Sequence, residues 1–216
     1  MVYIFNDHPS QVNQFIAELR DVKIQKDAMR FRKNVERIGE IMAYEISKTL
    51  NFKQISVDTP MGIAQTSVPD TPLVLATILR AGLAMHQGML NLFDSAQNAF
   101  ISAYRKHHKD GTFEISVEYV SCPDLTGSTL IIADPMLATG ASVTSAVKEM
   151  KKYGEPANIH ICSIIASVEG LNHIRRMLPD ARVWIGALDQ ELTAKSYIVP
   201  GLGDAGDLSY GLKMQD

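Results

Sequence analysis

The chain has 216 residues, 46% hydrophobic and 21% charged, which is enough for one sizeable core and fits a single domain over 1–216. A formal net charge of -3 and a pI near 6.1 exclude the strongly basic surface of a general nucleic-acid binder. Two cysteines, Cys122 and Cys162, suggest neither a zinc site nor a disulfide framework, and no window approaches the ~18 apolar residues of a membrane span, so a cytoplasmic protein is expected.

Helical spacing begins behind His8-Pro9-Ser10, with Val12, Phe15, Ile16 and Leu19 on one face. A longer helix follows, capped by Asp27 and burying Phe31, Val35, Ile38, Met42, Ile46 and Leu50. Its Arg30, Arg32, Lys33 and Arg37 read as a solvated face rather than an anion site. Residues 54–57 and 61–65 read as short strands around a Thr-Pro turn.

Residues 72–79, PLVLATIL, form the continuous apolar run of a central strand that ends in Arg80-Ala81-Gly82. A helix with Leu83, Leu90 and Phe93 inside starts at once. Arg80 thus leaves a strand at its carboxyl end, where a guanidinium can grip a diphosphate through two parallel hydrogen bonds. A further strand over 99–104 closes at Arg105, and 106–111, KHHKDG, is a polar turn whose His107 and His108 read as solvated rather than metal-ligating. Residues 112–119 then alternate, with Phe113, Ile115, Val117 and Tyr119 facing one way. Together these make an antiparallel β-arm over about 99–122, of a kind that in a dimer lies across the partner.

Residues 130–133 are another buried strand, and from Val143 the apolar period turns helical through Ala146, Val147 and Met150. The loop between them, DPMLATGAS, opens onto a helix amino terminus whose free N–H groups favour an anion. Thr139, Gly140 and Ser142 suit a phosphate there, since glycine lets amides approach and the hydroxyls add donors. The loop is neither a GKS/GKT phosphate loop nor a GxGxxG fingerprint. Lys151 and Lys152 suit that helix's carboxyl end, and Gly154 its stop. Strand 158–166, a short helix over 171–178 halted by Pro179, and strand 181–188 complete an alternation that implies an α/β fold, a doubly wound and mostly parallel sheet flanked by helices. The last segment, 197–211, YIVPGLGDAGDLSYG, is too rich in glycine for a regular helix or central strand and is expected to be a shaped loop with exposed backbone groups.

DPMLATGAS resembles the phosphoribosyl-diphosphate loop of the type I phosphoribosyltransferases, with Pro135 in place of the usual second acidic residue. ILRAG, AYR, the EG at Glu169, LDQ and IVPGLGDAGD are similar to motifs of the uracil phosphoribosyltransferase branch in the same order along the chain. Ala141 departs from the glycine common after Thr-Gly, and Glu191 from the glycine that often follows Asp-Gln.

The resemblance implies transfer of phosphoribosyl from 5-phospho-α-D-ribose 1-diphosphate (PRPP) to uracil, giving UMP and diphosphate. It assigns PRPP to Arg80, Arg105, Asp204 and the loop Asp134, Pro135, Met136, Leu137, Ala138, Thr139, Gly140, Ala141 and Ser142. It assigns uracil to Ile198, Gly203, Asp204 and Ala205, in what becomes a base-recognition loop, and catalysis to Asp134, Arg80, Arg105 and Asp204. Mg²⁺ is expected to arrive on the diphosphate rather than in a protein-only metal site. The resemblance also admits GTP as an activator, which part of that family uses, and a homodimer or homotetramer. A reading of another class is a regulatory relative that senses a pyrimidine nucleotide or RNA without turnover; the acidic balance and the presence of both substrate loops stand against it.

Overall fold

A computed structural model describes residues 1–107 and 113–213, with side chains outside 103–116. In chain order the elements are β1 (Val2–Ile4), α1 (Gln11–Arg20), α2 (Ala28–Ser47), β2 (Phe52–Thr59), β3 (Gly62–Pro69), β4 (Leu73–Leu79), α3 (Leu83–Leu92), β5 (Gln97–His107) and β6 (Phe113–Ser121). They continue with β7 (Thr129–Ala133), β8 (Met136–Leu137), α4 (Ala141–Met150), β9 (Asn158–Ser167), α5 (Val168–Met177), β10 (Arg182–Asp189), β11 (Glu191–Leu192), β12 (Ile198–Val199) and α6 (Ala205–Tyr210).

Among the described residues the main sheet runs β1-β10-β9-β7-β4-β5-β6, with β8 beside β9. Every neighbouring pair in it is parallel except β5 with β6. Alternate residues of the central strands feed opposite faces, because successive side chains of a strand point opposite ways. Leu75 and Ile131 pack with Val12, Ile38, Met42 and Met85 of α1, α2 and α3. Val74 and Leu130 pack with Val143, Val147 and Ile174 of α4 and α5. The sheet is therefore covered on both sides, as a parallel sheet requires.

The chain leaves β4 for β5 on one side and β7 for β9 on the other, so β4 and β7 flank the point where the strand order reverses. Ligands of open α/β sheets bind outside the carboxyl ends of the strands at such a point. Arg80 follows β4 and Asp134 follows β7.

The expected helix starts hold. Ser10 and Asn13 cap α1 reciprocally, and the Asp27 side chain accepts the Arg30 N–H at the start of α2. Several expectations are corrected. The two short strands are a full hairpin of eight residues each, paired from Phe52↔Pro69 to Thr59↔Gly62 and separate from the main sheet. The alternation expected in β6 breaks at a bulge opposite Ser102 and Ala103, where Glu118 is the extra residue. Val117 and Val120 consequently pack on the core, while Tyr119 is 55% exposed. The glycine-rich terminal segment does contain a helix, α6, which Asp204 caps by accepting the Asp207 N–H. β1 was not foreseen; it pairs with β10, and Tyr3 stacks on Trp184 with ring centroids 4.0 Å apart. Of the turn expected over 106–111, Lys106 and His107 instead continue β5, paired with Glu114 and Phe113, while the rest, including His108, falls outside the described residues.

Candidate functional site

The loop from Asp134 to Gly140 is fixed from behind. The Asp134 amide donates to the Cys162 carbonyl at 3.1 Å, and the Pro135 carbonyl accepts from the amides of Ile164 and Ile165 at 3.0 Å. Met136 and Leu137 then pair with Ile165 and Ala166 as β8. Ser167 holds the next residue: its hydroxyl donates to the Ala138 carbonyl at 2.6 Å and accepts the Gly170 N–H at 2.8 Å. Ser167 caps α5, and a serine directly ahead of a helical run is the ordinary signal in a sequence of such an amino-terminal cap.

Gly140 sits at φ +79° and precedes α4 with no side chain capping the helix. A side chain there would be strained by that φ, and a Cβ would come within 3.0 Å of His173 and 3.1 Å of the Gly170 carbonyl. The first amides of α4 are thus presented at the loop, with Thr139 and Ser142 beside them, which is the arrangement that attracts an anion. The Thr139 hydroxyl accepts the Ala141 N–H at 3.4 Å. Next to Thr139 lies a cavity of about 550 Å³ walled by Glu169, Asn172, His173, Arg176 and Gln190.

The Asp134 carboxylate is buried, with 9% of the residue exposed. Burial pushes its pKa up to about 7, and the Met136 N–H, 3.3 Å from Oδ1, only partly opposes this. Pairing of β4 with β7 brings the Arg80 loop alongside, and the Thr77 hydroxyl donates to the Ala133 carbonyl at 3.4 Å. The Leu79–Arg80 and Val199–Pro200 peptides are cis. Arg80 turns toward the terminal segment, Nη2 lying 2.9 Å from Asp207 Oδ1 and 3.1 Å from the Gly211 carbonyl.

The residues of the terminal segment lie between β12 and the start of α6. Ile198 is buried on β12, Gly203 turns at φ +97°, and Asp204 and Ala205 begin α6. A Cβ added to Gly206 would lie 3.9 Å from Ala81, so α6 abuts the Arg80 loop. Asp204 accepts the Asp207 N–H on Oδ1 at 2.9 Å and Lys213 Nζ on Oδ2 at 3.0 Å. Half burial raises its pKa, but the Asp207 amide, Lys213 and the Gly206 amide together bring the net value below the ordinary one. Arg105 lies on the backbone of β5, the far neighbour of β4, and its side chain falls outside the described part.

The cationic face of α2 is solvated as expected at Arg30, Lys33 and Arg37, and only Arg32 is half-buried. Lys33 is a surface partner of Glu36, but Arg30 forks onto buried Glu18 at 2.8 Å, and Arg37 lies over the Phe15 ring. Arg32 donates to the Ser209 carbonyl at 2.6 Å and covers Tyr210, so it fastens α6 to the body of the protein.

The same architecture occurs in a purine phosphoribosyltransferase from Pyrococcus horikoshii, with a TM-score of 0.50 at 16% identity over 74% of this chain and 91% of that one. The fold is that of a type I phosphoribosyltransferase. Over the full length of both chains the solved structure of the AQ2163 protein from Aquifex aeolicus matches with a TM-score of 0.88 at 28% identity. The family model for uracil phosphoribosyltransferase matches residues 6–211. A uracil phosphoribosyltransferase from Porphyromonas gingivalis is 52% identical over 215 residues, covering 99% of each chain. The chain belongs to the uracil phosphoribosyltransferase family.

Proposed function

We propose that the chain transfers phosphoribosyl from PRPP to uracil, giving UMP and diphosphate, and that it works as one unit across its length. The observation that carries this reading is the meeting at one switch point of a buried carboxylate, a helix amino terminus whose cap residue is a glycine and a guanidinium loop abutted by the glycine-rich terminal segment.

The bond from ribose C1 to the diphosphate oxygen breaks, and its electron pair leaves with the diphosphate. Uracil N1 supplies the new pair to C1, and its proton passes to water or to the departing diphosphate. Positive charge grows on the sugar and negative charge on the leaving group, so groups matched to both lower the barrier. Asp134, as a carboxylate, accepts hydrogen bonds from ribose hydroxyls and offsets the sugar's charge. The α4 amino terminus with Thr139, Gly140, Ala141 and Ser142 anchors the 5′-phosphate. Arg80, joined by Arg105, takes the diphosphate. The backbone around Ile198 and Gly203 to Ala205 reads the carbonyl, N–H, carbonyl edge of uracil and aims N1 at C1, a gain from positioning.

Among the described residues no group of three or more His, Cys, Asp or Glu is placed to hold a metal ion. Single carboxylates at Asp204 and Asp207 are hard oxygen donors beside the Arg80 loop, which suits Mg²⁺, an ion that takes one or two carboxylates and keeps waters and substrate phosphates. Asp204 would be its protein ligand, and the charge it supplies would stabilise the departing diphosphate.

Two copies would act together. The β2–β3 hairpin projects Phe52, Val57, Met61 and Ile63 into solvent, with Met61 96% exposed. A lone two-stranded ribbon is marginal in water, and a second copy is the cover that fits. Met61→Asp with Ile63→Lys is expected to lower the mass seen in sedimentation to that of one chain; an unchanged mass counts against the hairpin as the contact.

The activity is tested by incubating the protein with labelled uracil, PRPP and Mg²⁺, with and without GTP, and following UMP. Asp134→Ala is expected to slow it by roughly 100-fold or more. No UMP from the parent under either condition would overturn the reading.

A further inference from the structure

Arg20 ends α1 and Asp189 ends β10, far apart in sequence, and they meet behind the terminal segment. The guanidinium forks onto the carboxylate, Nη1 to Oδ2 at 2.8 Å and Nη2 to Oδ1 at 2.7 Å. Nη1 also donates to the Gly201 carbonyl at 2.9 Å, while the Gly201 N–H donates to Asp189 Oδ2 at 3.0 Å. One residue of the loop is therefore held at both its backbone groups by a single ion pair. Gln25 extends the grip, its Nε2 donating to the carbonyls of Leu202 at 3.1 Å and Leu19 at 2.8 Å. Gly201 itself is at φ +62°, and a Cβ there would lie 2.1 Å from the Ile198 carbonyl, so the segment is wound tightly on itself.

Asp189 is almost fully buried and Arg20 largely so. A buried ion pair gives little net stability, because desolvation offsets the attraction, and it is sustained only when the remaining hydrogen-bonding capacity is filled. Here that capacity goes to the backbone between Ile198 and Gly203. Residues on either side of the gripped glycine are the ones assigned above to the base, and this inference rests on that assignment. Backbone amides and carbonyls cannot be re-aimed by changing rotamer, so a backbone reader must be held accurately from behind.

We infer that Arg20 and Asp189 are positioning residues for base selection: they set the register of the terminal segment against the base without touching substrate. Gln25 assists them.

The test separates base from sugar phosphate. UMP and ribose 5-phosphate are titrated calorimetrically into the parent, Arg20→Lys, Asp189→Asn and Gln25→Ala. Lysine keeps the charge, but a point ammonium cannot span both carboxylate oxygens and the Gly201 carbonyl. In Arg20→Lys and Asp189→Asn, UMP binding is expected to weaken about tenfold or more and ribose 5-phosphate by less than about twofold. KM for uracil rises in step with the first number, and KM for PRPP follows the second. Gln25→Ala leaves the ion pair whole and shows the same split at smaller size, which keeps the inference testable if the other two variants do not fold. Equal weakening of both ligands, no weakening of UMP, or a parent that binds UMP no better than ribose 5-phosphate would each overturn it. A parent that prefers UMP in binding, shows the split in its variants and yet makes no UMP would sustain the inference and remove the proposed reaction.

Discussion

Arg80 and Asp207 form an ion pair across the site, Nη2 to Oδ1 at 2.9 Å, with the arginine 39% exposed and the aspartate 22%. The guanidinium that follows β4 is thus engaged by α6 before any diphosphate is bound, and the two must compete for it. Asp207→Asn removes the competing charge while keeping the side chain's shape. A half-exposed pair of this kind is worth about 0.2–1 kcal/mol, so the variant should bind inorganic diphosphate up to about fivefold more tightly. Calorimetric affinities of parent and variant measure this, and an equal or weaker affinity in the variant would show that Asp207 does not restrain Arg80.

The raised pKa of Asp134, about 7, sets the pH dependence. The proposed role needs the carboxylate, so kcat/KM for PRPP should climb as pH rises through about 7, and the limb should vanish with the activity in Asp134→Asn. Stability runs the other way. With a folded pKa above the ordinary 3.8, the group favours the folded state fully below 3.8, and that contribution is lost as pH rises through about 7. Thermal melts of the unliganded protein from pH 4 to 8 should therefore fall relative to those of Asp134→Asn.

Glu18 shows the opposite sign. Arg30 first, then Asn34 and Gln14, hydrogen-bond its carboxylate and hold its pKa down at about 2 against an ordinary 4.5. Its contribution is present above 4.5 and lost as pH falls through about 2. Glu18→Gln should melt lower than the parent at pH 7, and the gap should narrow as the pH drops from 4.5 toward 2. A gap independent of pH would mean that packing, not charge, is what the glutamine disturbs.

Ser167→Ala removes a cap and a loop anchor at once. Loss of the cap on α5 should cost about 1 kcal/mol in denaturant unfolding. Release of the Ala138 carbonyl should loosen the phosphate loop, raising KM for PRPP several-fold while KM for uracil stays near the parent value. Matching rises in the two KM values would place the defect outside that loop.

The sequence carried the parts of the fold in which local pattern and burial agree. PLVLATIL and LIIA read as buried strands because both faces of each are covered, and α1 and α2 read as helices because cap residues and apolar spacing point the same way. The loops after β4 and β7 were legible because glycine, threonine and a terminal charged residue concentrate there. What stayed hidden depends on distant partners. β1 has only three residues and exists through β10. α6 was masked by its glycine, yet Gly206 belongs in that helix because α6 abuts Ala81 and Asp204 caps the turn. The bulge in β6 re-aims Tyr119 without leaving a mark in the alternation. Arg20 looks like an ordinary surface charge, and the LDQ motif gives Asp189 no role, until the fold brings the two behind Gly201.

Trp184 is the sole tryptophan of the chain, and it is buried on β10, the strand that ends at Asp189. Its ring stacks on Tyr3, and its indole N–H donates to His160 Nδ1 at 3.1 Å. Intrinsic fluorescence therefore reads one defined place, the seam between the first strand and the strand that supports the terminal segment. Unlabelled protein should show a single red shift on unfolding, and any emission change at constant secondary structure would report that seam loosening ahead of the rest.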